Sequence, residues 1–153
     1  MAQVNAIKPS ASIDLAGLAA KAQHVAAVQY SGDVLPLDVY NFLHSHNGAL
    51  IDVRTTPEWQ AGLPSLVNCQ GKLNTISWKL APDYTLNPEF QKTLQAALPD
   101  KDLPLFFMCR SGGRSLDASA AMTAAGYRYC FNIKGGFEAA EGWKASNLPW
   151  KPL

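Results

Sequence analysis

Cysteine is scarce in this chain, three in 153 residues, and the three stand far apart as Cys69, Cys109 and Cys130. An odd, unclustered set makes a poor disulfide framework and fits a reducing compartment. No Cys-x-x-Cys pair occurs, and the nearest histidines, His44 and His46, lie two apart on an expected helix, where side chains do not face each other; no metal site is expected. Net charge is nearly absent as well, with 13 Lys and Arg against 12 Asp and Glu, a formal +1 at pH 7. That excludes the dense basic surface that captures nucleic acid or an anionic membrane, so a small substrate or a protein partner is expected instead. Long apolar runs are missing too. The opening "MAQVNAIKPSASIDLAGLAAKAQ" is broken by polar residues and supports neither a secretory signal nor a membrane span, so a cytoplasmic location is expected.

What is present is an ordinary globular composition, 48% hydrophobic and 16% charged, in a chain long enough for one core without disulfides or metal. The pattern divides into a tail and accessory helix over 1–28 and a main domain over 29–153. After an opening dozen residues that read as a tail, Ser12 caps an expected helix from Ile13 to Val28, with Leu15, Leu18, Ala22 and Val25 at helical spacing. A strand is expected near "AAVQYS". "LPLDVYNFLHSHNG" reads as a helix ended by Asn-Gly, "ALIDV" as a strand buried on both faces, and "TTPEWQAG" as a Thr-capped helical turn. "SLVN" is a further short strand candidate, and the polar stretch from Cys69 to Pro88 reads as a long irregular connection. A helix capped by Asn87 follows, then the strand "LPLFFM", an Ala-rich helix closed by Gly126, and the strand "RYCFNI". Strands alternating with helices imply an α/β fold with a parallel sheet covered on both faces.

The segment "CRSGGRS" joins "LPLFFM" to the Ala-rich helix. Ligands of open parallel sheets bind beyond the carboxyl ends of strands, and Cys109 stands at such an end. The helix expected to begin near Ser115 offers unpaired amides and the positive end of its dipole. Gly112 and Gly113 allow successive N–H groups from Ser111 to Ser115 to converge on the sulfur, while Arg110 and Arg114 add fixed charge. Cys109 is therefore expected to be largely thiolate at neutral pH. Cys69 and Cys130 have no such surroundings and read as inert core residues. Trp78 is either an aromatic wall of the pocket or a packing residue.

"CRSGGRS" resembles the active loop of the single-domain rhodaneses, a sulfurtransferase family. "LIDVRTTPEWQAG" is similar to that family's D-V-R-x-x-x-E-[W/Y/F] signature, here Asp52, Val53, Arg54, Glu58 and Trp59. "NIKGGFEAAEGWKASNLP" resembles its last segment, whose Gly-Gly pair, here Gly135 and Gly136, borders the pocket. The matches stand in the family's order from about Tyr30 to Pro149, although "AGLPSLVNCQGKLNTISWK" departs from the usual G-H-I-P-G-A. The resemblance implies a rhodanese-like five-stranded parallel sheet and transfer of a sulfane sulfur through a Cys109 persulfide. It implies no cofactor, an anionic donor such as thiosulfate held by Arg114 and Arg110, and a thiol, cyanide or protein acceptor. Asp52, Arg54 and Glu58 are expected to support the site, with Arg54 and Glu58 paired across one helical turn and Asp52 holding backbone donors.

Two other functions fit the same loop. A cysteine-dependent phosphatase or arsenate reductase also sets Cys and Arg around an anion at a helix start, but in a C-x5-R ring; Cys109 and Arg114 form C-x4-R, a smaller ring suited to one added atom. A low-turnover sulfur-relay module would keep the loop and use the N-terminal helix for docking.

Overall fold

Three four-residue stretches, Ala49–Asp52, Leu105–Met108 and Cys130–Ile133, are buried at every position, as strands must be when helices cover both sides of their sheet. The computed structural model describes residues 13–153. Its elements run α1 (Leu15–Lys21), β1 (Gly32–Val34), α2 (Pro36–Ser45), β2 (Ala49–Asp52), α3 (Thr56–Ala61), β3 (Leu63–Pro64), β4 (Lys72–Thr75), β5 (Lys79–Leu80), β6 (Thr85–Leu86), α4 (Phe90–Ala97), β7 (Leu105–Met108), α5 (Gly113–Ala124), β8 (Cys130–Ile133) and β9 (Trp150–Lys151).

Five strands form the central sheet in the order β1-β8-β7-β2-β4, all parallel, with β7 in the middle. Alternate residues of each strand serve opposite layers. Leu50, Phe106, Met108, Phe131 and Ile133 meet Leu18 of α1 and Val39, Phe42 and Leu43 of α2. On the other face Ala49, Ile51, Leu105, Phe107 and Cys130 meet Phe90 and Leu94 of α4 and Ala118 and Met122 of α5. The expected α/β architecture with a five-stranded parallel sheet is the one observed. Two small antiparallel pairs, β3 with β9 and β5 with β6, lie outside it. No helix among the described residues is long and apolar enough to cross a membrane.

Several local expectations need correction. The first helix is half the expected length: Asp14, not Ser12, caps it by accepting from the Gly17 N–H at 2.8 Å, and Ser12 lies outside the described residues. The chain leaves the helix at Ala22, so that Gln23 can bridge Asp33 beside β1. That first strand begins at Gly32, beyond "AAVQYS". "SLVN" is a turn, with Asn68 at φ +64°. The strand belongs instead to Lys72–Thr75, inside the stretch expected to be irregular, and the β5–β6 hairpin follows it. As an edge strand paired only with β2, β4 needs no continuous apolar run and gives no such signal. Asn87 stands one turn ahead of α4, its Oδ1 accepting from the Glu89 N–H at 3.0 Å.

Candidate active site

At the end of β7 the chain must turn sharply, because the neighbouring β2 and β8 hold it on both sides. The carbonyls of Cys109 and Arg110 are held away from the loop's interior by the Phe137 and Glu138 N–H groups, at 2.9 and 3.0 Å. That clasp explains the Gly135–Gly136 pair. Gly136 has φ +56°, and a Cβ there would overlap the Cys109 carbonyl oxygen; on Gly135, φ +76°, it would stand 2.7 Å from the Gly142 nitrogen.

Cys109 is 2% exposed. Its Sγ accepts from the Gly112 N–H at 3.0 Å and is 3.2 Å from the Ser115 Oγ. Among the described residues no other loop amide reaches it, so the cage is narrower than the expected run of donors from Ser111 to Ser115. Gly112 caps α5 with φ +119°. Gly113 already belongs to the helix, two residues earlier than expected, and has open space where a Cβ would stand. Only the first of the two glycines is required by the geometry. The N-terminal end of a twelve-residue helix adds its positive potential.

The expected pairing of Arg54 with Glu58 is not formed by their side chains. Arg54, 1% exposed, instead grips Asp52, with Nε 3.0 Å from Oδ1 and Nη2 2.8 Å from Oδ2. It also donates from Nη2 to the Gly62 carbonyl at 2.8 Å, and its guanidinium lies 4.2 Å from the centre of the Phe137 ring. Asp52 does hold a backbone donor, the Arg54 N–H at 3.1 Å. This buried pair thus braces the residue whose amide clasps the Cys109 carbonyl. Glu58 turns toward the loop and takes Arg114 bidentately, Nη1 to Oε1 at 2.9 Å and Nη2 to Oε2 at 3.0 Å. Its Oε1 accepts from Thr55 N–H and Oγ1 as well. Burial alone would raise the Glu58 carboxyl, but the hydrogen bonds from Arg114 and Thr55 outweigh it and bring it down to about 2. Arg114 rises above its ordinary value, chiefly through the hydrogen bond to Glu58. The Tyr84 ring lies 5.4 Å from its guanidinium. Arg110 is exposed and makes no ion pair with a described carboxylate.

Behind the sulfur stands a polar chain missing from the sequence-based list of site residues. Ser115 Oγ is 2.6 Å from Asn132 Oδ1; Asn132 Nδ2 donates to Asp33 Oδ1 at 3.0 Å; the Tyr30 hydroxyl donates to that same oxygen at 2.9 Å. Burial pushes the Tyr30 phenol up to about 12, the Val25 amide opposes the rise, and Asp33 adds to it. One signal could have found the chain: Asn132 is the sole amide in the buried run "CFNI". The remaining cysteines lie outside the loop, Cys69 ahead of β4 and Cys130 at the start of β8. Burial pushes Cys130 up to about 11 and raises Cys69. Trp78 is a packing residue, edge-on to Phe90 at 5.0 Å. Among the described residues no cluster of His, Cys, Asp and Glu could hold a metal. The loop thus brings one backbone amide, one hydroxyl and a helix start to a single sulfur.

Residues 35–145 match the rhodanese-like domain family. An uncharacterised protein of Rickettsia rickettsii is 42% identical over 118 residues, spanning 73% of this chain and 90% of its own. Thiosulfate sulfurtransferase 18 of Arabidopsis thaliana is 34% identical over 102 residues, 65% of this chain and 68% of its own. The crystal structure of Rv0390 from M. tuberculosis superposes with a TM-score of 0.71 at 32% identity, covering 82% of this chain and all of that one.

Proposed function

From the premise that the chain belongs to the rhodanese-like family, we propose that it is a sulfurtransferase whose nucleophile is Cys109. The observation that carries the reading is the sulfur's position: past the central strand, at a helix start, with the Gly112 amide and the Ser115 hydroxyl as its neighbours. Donors to the charged form favour it, so the thiolate can attack without a separate base. Cys109 attacks the outer sulfur of an anionic donor such as thiosulfate. The new S–S bond forms as the donor's own S–S bond breaks, and sulfite leaves with the bonding pair. A thiol, cyanide or protein acceptor then takes the terminal sulfur and restores the thiolate.

Arg110 is the loop cation that approaches the donor directly. Arg114, expected from the sequence to hold the donor, is paired with Glu58, and in this proposal it mainly fixes the loop's shape and supplies a hydrogen-bonding face. The four-residue spacing between Cys109 and Arg114 favours one added sulfur over a tetrahedral phosphoryl group. Treatment with thiosulfate followed by mass spectrometry is expected to find one extra sulfur on the Cys109 peptide, removed by cyanide. Turnover of an aryl phosphate with no sulfur uptake would overturn the proposal in favour of phosphate chemistry.

A further inference from the structure

Ser115 has one hydroxyl hydrogen and two acceptors for it. Its Oγ lies 2.6 Å from Asn132 Oδ1 and 3.2 Å from Cys109 Sγ, and the residue is fully buried. Asn132 cannot turn its amide over to become the donor. Its Nδ2 already faces Asp33 Oδ1 at 3.0 Å and the Gly112 carbonyl at 3.3 Å. A flip would set its own oxygen against both of those acceptors. Asn132 Oδ1 is therefore a fixed acceptor, aimed at Ser115 from the buried strand β8.

We propose that Asn132, locked in place by Asp33, is a positioning residue that competes with Cys109 for the Ser115 hydrogen and so sets the balance between a charged and an uncharged Sγ. With Sγ uncharged, the hydrogen rests on Asn132. When Sγ is a thiolate, the hydroxyl turns to the sulfur and leaves Ser115 Oγ and Asn132 Oδ1 facing each other with no hydrogen between them, a costly arrangement in a buried site. The functional consequence rests on the sulfur-transfer proposal. Loading moves the negative charge from Sγ to the terminal sulfur, Asn132 regains the hydrogen, and the loaded state gains relative to the empty thiolate. Among the described residues, Arg114 of α5, closed by Glu58 of α3, couples to the charge of Cys109, and Arg110 adjoins it in the loop. Asp33 of β1 acts on the sulfur through Asn132 and Ser115.

The test is the alkylation rate of Cys109 by iodoacetamide across neutral and mildly acidic pH, followed by peptide mass. Asn132→Leu is expected to raise the rate below neutrality by about 3–10-fold, the size of one hydrogen bond. Asp33→Leu, which frees the amide to turn, moves it in the same direction. Asp33→Asn keeps an acceptor facing Asn132 and returns the rate toward wild type. In a Ser115→Ala background, Asn132→Leu should change nothing, because the shared hydrogen is gone. An unchanged or lowered rate in Asn132→Leu, or an equal rise without Ser115, overturns the proposal. Should Asn132→Leu fail to fold, the two Asp33 variants carry the same prediction, and equal rates in them overturn it. These rates do not depend on sulfur transfer: a wild-type protein that takes up no sulfur from thiosulfate overturns that reading while the alkylation series still decides the role of Asn132.

Discussion

Cys109 and Cys130 lie at opposite ends of two neighbouring strands of one sheet, Cys109 just past β7 and Cys130 within β8, both free and both buried. Cys130 opens β8 and sits beside Leu105, the first residue of β7; Cys109 follows the last residue of β7. Burial raises the Cys130 thiol, and Thr123 opposes the rise. Cys109 is as thoroughly enclosed, yet it stands at the end where a helix begins and where the Gly112 amide and the Ser115 hydroxyl reach the sulfur. Burial by itself suppresses a thiolate, as at Cys130, whereas donors aimed at a buried sulfur act in the opposite sense. The direction of the parallel strands decides which cysteine receives which surroundings.

The strongest way to break this comparison is to exchange the nucleophile. Cys109→Ser is expected to lose thiosulfate:cyanide sulfur transfer by at least about 10³-fold, whereas Cys130→Ala keeps it; comparable losses in both would end the distinction. Next in size is Gly136→Ala. Its methyl group would overlap the Cys109 carbonyl oxygen and must also adopt φ +56°. A destabilisation of about 1–3 kcal/mol is expected in chemical denaturation, with activity falling further than stability because the clasp on the loop opens.

Labelling sharpens the contrast without mutation. At pH 8 a thiol reagent should modify Cys109 first and leave Cys130, whose thiol is pushed up to about 11, untouched until the protein unfolds. Peptide mapping after partial modification reads this directly, and early loss of the Cys130 thiol would count against it.

The smallest effect concerns Glu58. Its carboxyl is lower in the folded protein, about 2, than its ordinary value of 4.5, so the Glu58–Arg114 pair contributes fully above about pH 4.5 and its contribution fades as pH falls toward 2. A partly buried pair of this kind is worth about 1–3 kcal/mol, between exposed and fully buried cases. Glu58→Gln should remove that part of the acid-induced loss of stability. An identical pH profile for the variant would show that Glu58 titrates alike in both states.

The elements that carry strong local patterns are found where the sequence places them. β2, β7 and β8 are apolar at nearly every position because both faces are covered, and α2 begins at Pro36 and ends ahead of Asn47 and Gly48. β4 escaped notice because an edge strand can carry Lys72, Asn74 and Thr75 without burying them fully. In the site, the loop and its supporting residues are legible as a set, but their pairings are not. Arg54 and Glu58 stand four apart, the spacing of helical partners, yet Arg54 lies before α3 begins. It therefore turns back to Asp52, and Glu58 faces a residue 56 positions away. Nor does any local pattern join Asp33 to Asn132, 99 residues apart in the chain.

The sequence by itself determined that a cysteine would end a buried strand and meet a helix start, because apolar runs, glycines and the helix signal are properties of adjacent residues. Only the tertiary structure decided which carboxylate neutralises Arg114 and which acceptor shares the Ser115 hydrogen. Those partners come from separate strands and helices, and they meet only because the parallel sheet sets the carboxyl ends of β1, β2, β7 and β8 side by side.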